Sequence, residues 1–349
     1  MKALLKHTRK ERGLKLRELA QLMGVDQAII SKIESGARLP TKDQIIKLSS
    51  ILEIPEATLI PLWIKSRLLD ELQYEPYAAQ AISMVQEELG NYILKNTPQL
   101  SASLTEKLVR IDELKSKLDT FRQYDSYRIA QALELEYTFE SNRIEGNTLT
   151  LRETDLVINE GLTVSGKSMR EHLEAINHQE AILYVKELVQ KQTKINEREV
   201  LVIHNLILRG IMPEYAGKYR NIQVMIKGSA HTPPQPFLVA KQMEELYLWY
   251  TTNHKMYHPV LLAAEMHERL VTIHPFVDGN GRTSRLLMNL ILLSHGFVIA
   301  NIKGDYETRM RYYTTLEQAQ TTDSKEAFHH FIADVEIECL EKYLKILGA

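Results

Sequence analysis

The chain is predicted to be mainly α: a four- or five-helix bundle at the N-terminus, a helical connector, and a larger all-helical domain interrupted by one β-hairpin flap. Three observations carry this expectation. Apolar residues recur at three- and four-residue intervals along most of the chain, as in SLTEKLVRIDELKSKLDTF. Gly and Pro fall between these runs instead of inside a strand-like alternation, so they read as helix ends. Extended character is confined to residues 217–240, where YRNIQVMIKG and FLV flank HTPPQP. A length of 349 residues exceeds one ordinary hydrophobic core, which sets the domain expectation at two with a connector.

Composition narrows the function classes. A net charge of −2, with 25% charged and 44% hydrophobic residues, describes an ordinary globular chain with no overall bias toward polyanions. Any nucleic-acid surface must therefore be local. No run approaches the ~18 apolar residues of a membrane span, and the N-terminus lacks a signal-peptide core. The single cysteine, Cys339, cannot form an intramolecular disulfide and reads as a structural thiol in a reducing compartment. The expected location is the cytoplasm, with no membrane partner.

Residues 1–60 alternate short helical patterns with turns, in the order RKERG, LRELAQLMG, DQAIISKIESG and TKDQIIKLSSILE. Leu16, Leu19, Ala20, Ile30 and Ile33 fall where two helices crossing at a tight turn bury them, and Gly24 supplies that turn. Asp26 is an N-cap for the second of these helices. Gln27, Ala28, Ser31 and Lys32 then lie on its exposed side, where Gln suits adenine, Ala a thymine methyl and Lys a guanine or phosphate. Eleven Lys and Arg against seven Asp and Glu give this segment a local excess of four positive charges on a chain that is slightly negative. Leu19-Ala20, Gly24, Ser31, Ile33-Glu34, Gly36 and Arg38-Leu39-Pro40 resemble the Cro/repressor (Xre-like) helix-turn-helix family. That resemblance implies DNA binding, with Arg38 beside the recognition helix and a homodimer on an inverted repeat. The competing reading is a helical bundle that binds a protein. Residues 61–103, with Pro61, Pro76 and Pro98, read as connector helices leading to a domain over 104–349.

The densest chemistry is LVTIHPFVDGNGRTSRLLMNLILL, residues 270–293. A helix end delivers His274, a Gly/Asn turn reverses the chain, and a second helix resumes with Arg282 and Arg285 in its first turns. Gly279 and Gly281 let backbone amides approach an anion at a helix N-terminus, where amides and helix dipole both favour negative charge. The two arginines lie on one helix face and reach one polyphosphate. Asp278 offers a hard oxygen to Mg²⁺, and His274 stands close enough to take a proton from an attacking hydroxyl. Rival motifs fail on spacing. GNGRTS lacks the third glycine of a dinucleotide fingerprint, no P-loop sequence occurs, and a calcium loop would put Arg282 and Asn289 at oxygen-ligand positions. His267-Glu268 is followed by Val271 where a zinc protease needs His, leaving His254, His258 and His267 as structural residues.

The run His274-Pro275-Phe276-Val277-Asp278-Gly279-Asn280-Gly281-Arg282-Thr283-Ser284-Arg285 resembles the complete motif of the Fic family, and the similarity extends from about residue 104 to 345. The resemblance implies transfer of AMP from ATP to a Ser, Thr or Tyr hydroxyl of a protein, the chain itself included. His274 is then the general base and Asp278 the Mg²⁺ ligand. Gly279, Asn280, Gly281 and Arg282 hold the α- and β-phosphates, Arg285 takes the γ-phosphate, and Phe276 anchors the loop. The flap, with Val224, Met225, Ile226 and His231, aligns an extended target segment. Tyr313 and Gln320 line the adenine pocket, Gln320 standing where related enzymes carry Asn. Two alternatives remain: a transcriptional regulator whose Fic-like domain only senses nucleotide, and an enzyme that moves another phosphate-containing group.

Upstream, Ser141-Asn142-Arg143-Ile144-Glu145-Gly146-Asn147 reads as a helix end with Ser141 and Glu145 on one face and Gly146 as the stop. It resembles the [S/T]xxxE[G/N] inhibitory motif of Fic proteins whose inhibitory helix, here about 130–146, precedes the core in the same chain. The implied contact is a bidentate pair between Glu145 and Arg285, with Ser141 orienting the carboxylate. It lowers resting activity and lets Glu145 position a water for removal of AMP.

Overall fold

A computed structural model describes residues 1–72, 75–85, 100–122, 127–322 and 324–348. The chain divides into two compact units, Met1–Asn96 and Thr97–Ala349. Parts of the expected connector, residues 73–74 and 86–99, lie outside the described residues.

The first unit holds α1 (Lys2–Glu11), α2 (Leu16–Met23), α3 (Gln27–Ser35), α4 (Lys42–Leu52) and α5 (Glu56–Leu72). Gly24 ends α2 at φ 68°, a left-handed stop that side chains resist. Asp26 caps α3 by accepting from Ala28 N at 2.7 Å, and Thr41 with Gln44 forms a capping box on α4. Leu5, Leu19, Ile30, Ile33, Ile45 and Leu48 make the core, joined by Leu59 and Trp63 of α5. Trp63 Nε1 donates to Pro40 O at 2.8 Å, so α5 belongs to this bundle and continues through Pro61 and past residue 60. Arg9 and Glu34 form a buried two-pronged ion pair, at 2.5 and 2.9 Å, that ties α1 to α3.

The second unit comprises α6 (Ala102–Phe121), α7 (Tyr127–Ile144), α8 (Leu151–Asn159), α9 (Met169–Gln190), α10 (Glu197–Leu208), α11 (Pro236–Asn253), α12 (Pro259–Ile273), α13 (Asn280–Ser294), α14 (Tyr306–Thr321) and α15 (Glu326–Ile346). α12 and α13 are buried on nearly every side and form a hairpin at the centre of the domain, which explains the apolar runs Pro259–Ala264 and Leu286–Leu293, broken only at Asn289. The other helices surround them, with α9 against α10 and α13, and α6 against α15. His274 to Gly279, the short turn of this hairpin, is thereby fixed between two rigid core helices.

The expected β-hairpin flap is absent: no strand occurs among the described residues, and 217–235 runs through turns and bends until Pro236 opens α11. The physical reason is donor supply. Pro233, Pro234 and Pro236 bring no N–H to a ladder. Side chains take the ladder's place: Arg220 donates to Ile222 O and Pro234 O, and Gln223 Nε2 donates to Pro233 O.

Candidate functional site

His274 caps α12 in the left-handed region, φ 49° and ψ 57°, a conformation that a non-glycine residue holds only against strain. Its Nδ1 lies 3.3 Å from Val271 O, an atom that only accepts, so Nδ1 carries the proton and Nε2 keeps its lone pair. Burial pushes the imidazole pKa down to about 4, with Arg220 pushing the same way. The side chain is thus a neutral base.

The loop beyond it is built from inside. Phe276 is fully buried and stacks on His204, with ring centroids 3.6 Å apart. His204 Nδ1 accepts from Gly217 N at 3.0 Å, which leaves its Nε2 to donate to Asp278 O at 3.0 Å. Asn280, expected to hold phosphate, turns its side chain inward: Oδ1 accepts from Phe276 N at 3.0 Å and Nδ2 donates to Phe276 O at 2.9 Å. The amide closes the turn, leaving the backbone N–H as what Asn280 can offer an anion. Gly279 has φ 79°, and a Cβ there would press on Ile207 and His204.

Arg282 is 2% exposed, and its charge faces Glu174 and Asp278 at 3.4 Å each. Its Nε and Nη1 have no hydrogen-bond partner among the described residues, so two buried donors lack an acceptor even though Nη1 is ion-paired with Glu174. A phosphate oxygen is the acceptor such donors suit. Asp278 is clamped by Arg170 Nη2 at 2.8 Å and by Gly279 N at 2.6 Å. Burial works to raise its pKa, yet the Arg282 charge, the Gly279 bond and Arg170 hold it below the usual value, so the carboxylate is ionised. One ionised oxygen donor fits Mg²⁺, which takes few protein ligands when phosphate oxygens and water supply the rest. No cluster of three His, Cys, Asp or Glu suited to a metal occurs among the described residues.

Arg285 is 1% exposed. Its Nη2 donates to Glu145 Oε1 at 2.7 Å and to Ser141 O at 2.9 Å, and its Nε donates to Ser141 Oγ at 3.0 Å. Two details differ from the sequence expectation. Glu145 contributes one oxygen instead of two, and Ser141 orients the arginine instead of the carboxylate. The cause lies in the helix end: α7 stops at Ile144, Gly146 adopts φ 96°, and Asn147 N returns to Asn142 O at 3.1 Å, so Glu145 reaches the site from a turn. Gly281 makes room for it. A Cβ at that position would lie 2.5 Å from Glu145 Oε1.

Tyr313 is partly exposed and donates to Ile144 O at 3.1 Å, which joins α14 to the end of α7. Gln320, one helix turn from Leu316 on α14, has a buried Nε2 without a partner among the described residues. In the flap, Met225 is 90% exposed, Val224 and Ile226 are half-buried, and His231 Nε2 lies 2.8 Å from Thr272 O. His267 is buried against Tyr312, and His258 caps α12 with Nδ1 accepting from Val260 N. On α3 and the following turn, Gln27, Ala28, Ser31, Lys32 and Arg38 are all exposed.

Four residues of the site have no signal in the local sequence: Arg220, His204, Arg170 and Glu174. Arg220, buried to 3% exposure, gives Nε to His274 O at 2.8 Å, Nη1 to Ile222 O at 3.1 Å and Nη2 to Pro234 O at 2.6 Å, while its own N donates to Pro275 O at 2.9 Å. One guanidinium therefore binds the base to the flap.

Residues 194–292 match the Fic/DOC family and residues 5–59 a helix-turn-helix family. The chain is 35% identical over 291 residues to a protein adenylyltransferase Fic of Nematostella vectensis, covering 78% of this chain and 67% of that one. It is 35% identical over 241 residues to the corresponding Drosophila virilis protein, covering 68% of this chain and 49% of the relative, so it spans about half the length of that protein. Among solved structures, Fic-1 (residues 134 to 508) of C. elegans superposes with a TM-score of 0.64 at 25% identity, over 99% of this chain and 98% of that one. A Fic domain containing signaling protein from Bacteroides thetaiotaomicron does so with a TM-score of 0.62 at 26% identity, over 68% and 97%.

Proposed function

The chain belongs to the Fic/DOC family of nucleotidyltransferases, and from that premise we propose that it transfers AMP from ATP to a hydroxyl of a protein under the restraint of Glu145. The observation that carries this reading is the neutral His274 with a free Nε2, next to a glycine-lined helix N-terminus and two buried arginines. In the reaction the target hydroxyl oxygen attacks the α-phosphorus, and its proton passes to His274 Nε2. The bond from the α-phosphorus to the bridging oxygen breaks, and pyrophosphate leaves with the electron pair. Arg282 and the backbone amides of Asn280 and Gly281 hold the phosphates as charge shifts toward the leaving group, the Gly279 amide being taken by Asp278. Bound at Asp278, Mg²⁺ supplies additional neutralisation of phosphate charge.

Glu145 supports the restraint by occupying Arg285, the guanidinium that a γ-phosphate needs, and by setting negative charge where ATP brings more. The same carboxylate can position a water on the phosphorus of an AMP-modified protein, which gives the reverse reaction. The exposed Gln27, Ala28, Ser31, Lys32 and Arg38 on the helix-turn-helix unit support DNA as the second partner, bound by a homodimer. The exposed flap offers Met225 and its neighbours to the target segment.

Intact-mass measurement after incubation with Mg²⁺-ATP tests the reading. A gain of one AMP on the chain or on a trapped protein, lost in His274→Ala, is expected. A gain of a different group, or labelling that survives His274→Ala with equal yield, overturns it.

A further inference from the structure

The catalytic domain contains a second concavity, apart from the nucleotide site. A cavity of about 420 Å³ opens between α7, the segment from α13 to α14, and the end of α15. Such a volume suits a small molecule. Its walls are mainly carbon, with Ala130 and Leu133 of α7 facing Phe297 and Val298. The lysines at its rim are each matched: Lys186 to Glu134 at 2.6 Å, Lys303 to Glu338 at 2.9 Å, and Lys342 to Glu136. With those charges already paired, an ionic ligand would gain little and would have to desolvate. Asn301 lines the cavity, and its N donates to Cys339 Sγ at 3.3 Å. Burial pushes the Cys339 thiol up to about 12, so occupancy is reversible and not covalent.

We propose that this cavity binds a neutral, mostly apolar small molecule, and that its occupancy holds α7 in the position seen here. The second half rests on the reading of Glu145 as a brake. α7 lends Ala130 and Leu133 to the cavity wall and, about three turns further on, Ser141 to Arg285, with Glu145 immediately after its end. A ligand that fills a cavity preformed in the braked arrangement favours that arrangement by its differential affinity.

Indole is a suitable probe, tested on the full-length protein by saturation-transfer NMR and by thermal melting. Binding to wild type and to His274→Ala is expected, with loss of binding in Ala130→Trp and, independently, in Val298→Phe, both of which fill the cavity from different elements. Indole should also slow AMP transfer by wild type about fivefold, the lower end of ordinary allosteric coupling, and leave Glu145→Gly unaffected. Absence of binding to wild type, or undiminished binding to a folded, cooperatively melting filled variant, overturns the site. Equal slowing of wild type and Glu145→Gly overturns its connection to α7. The NMR readout is independent of catalysis, so a chain that binds indole and moves no AMP would count against the enzymatic reading and not against the cavity.

Discussion

Glu145 and Arg285 lie 140 positions apart in sequence and 2.7 Å apart in space, with the arginine almost completely buried and the carboxylate about one-third exposed. The partner that can leave is therefore the glutamate. Glu145→Gly is expected to raise AMP transfer at least about tenfold, equivalent to removing ~1.4 kcal/mol of obstruction, and to abolish AMP removal. Label transfer from α-³²P-ATP measures the first and release of AMP from modified protein the second. The double variant Glu145→Gly, His274→Ala should be inactive. A single variant that labels no faster than wild type makes Glu145 an ordinary surface residue.

The pH profile follows from the buried imidazoles. With its pKa near 4 instead of 6.5, His274 stays deprotonated well below neutrality, so transfer by Glu145→Gly should vary little between about pH 5.5 and 8. An acid limb centred near 6.5 would show that the base is solvated. Stability should behave differently. His204 and His267 are also depressed, to about 4 and about 3, so the unfolded chain binds more protons than the folded one below 6.5. Stability then falls with pH from that value down toward 4, which melting curves at constant ionic strength would record.

Arg220 is a positioning residue: it touches the backbone of His274 and the flap, and none of the expected substrate groups. Arg220→Lys keeps the charge but gathers its donors on one nitrogen, which does not span the three carbonyls that Nε, Nη1 and Nη2 meet separately. Transfer efficiency should drop on the order of 10²-fold from misalignment of the base, with ATP affinity retained. Arg220→Ala should in addition move the acid limb upward, because the positive charge that depresses His274 is gone. Equal pH profiles for the two variants would assign Arg220 to fold stability alone.

On the DNA side, affinity of the full chain for its own promoter region should fall linearly with log salt, and Lys32→Ala should lower the slope by about one if it meets a phosphate. Gln27→Ala should instead relax sequence preference at one position, with a cost of roughly 1–3 kcal/mol. Gel-shift titrations at several salt concentrations separate the two outcomes. A flat response to salt would favour a protein partner for this unit.

What was legible in the sequence is what the chain writes locally. The loop from His274 to Arg285 is contiguous, so its glycines, acid and arginines can be read together as a candidate phosphate site, and Asp26 marks the helix start that it caps. Glu145 became legible only through resemblance, since a glutamate at a helix end is unremarkable by itself. Arg220 and His204 leave no trace because the contacts that tie them to the loop lie 54 and 74 positions away and are made to backbone carbonyls, which carry no residue identity. The flap departs from the expected hairpin for a related reason. Alternating Ile222, Val224 and Ile226 satisfy a strand pattern, while the proline run withholds the donors that pattern presupposes.

Gly281 places two demands on one absent carbon. In the structure the Glu145 oxygen fills the volume a methyl group would take, and on the proposed function the backbone amide there has to come close to phosphate. Alanine at this position would thus evict the inhibitor and obstruct the substrate together. On the proposed function its expected phenotype is a silent enzyme instead of a liberated one, so release would be reached through residue 145 and closed off through residue 281.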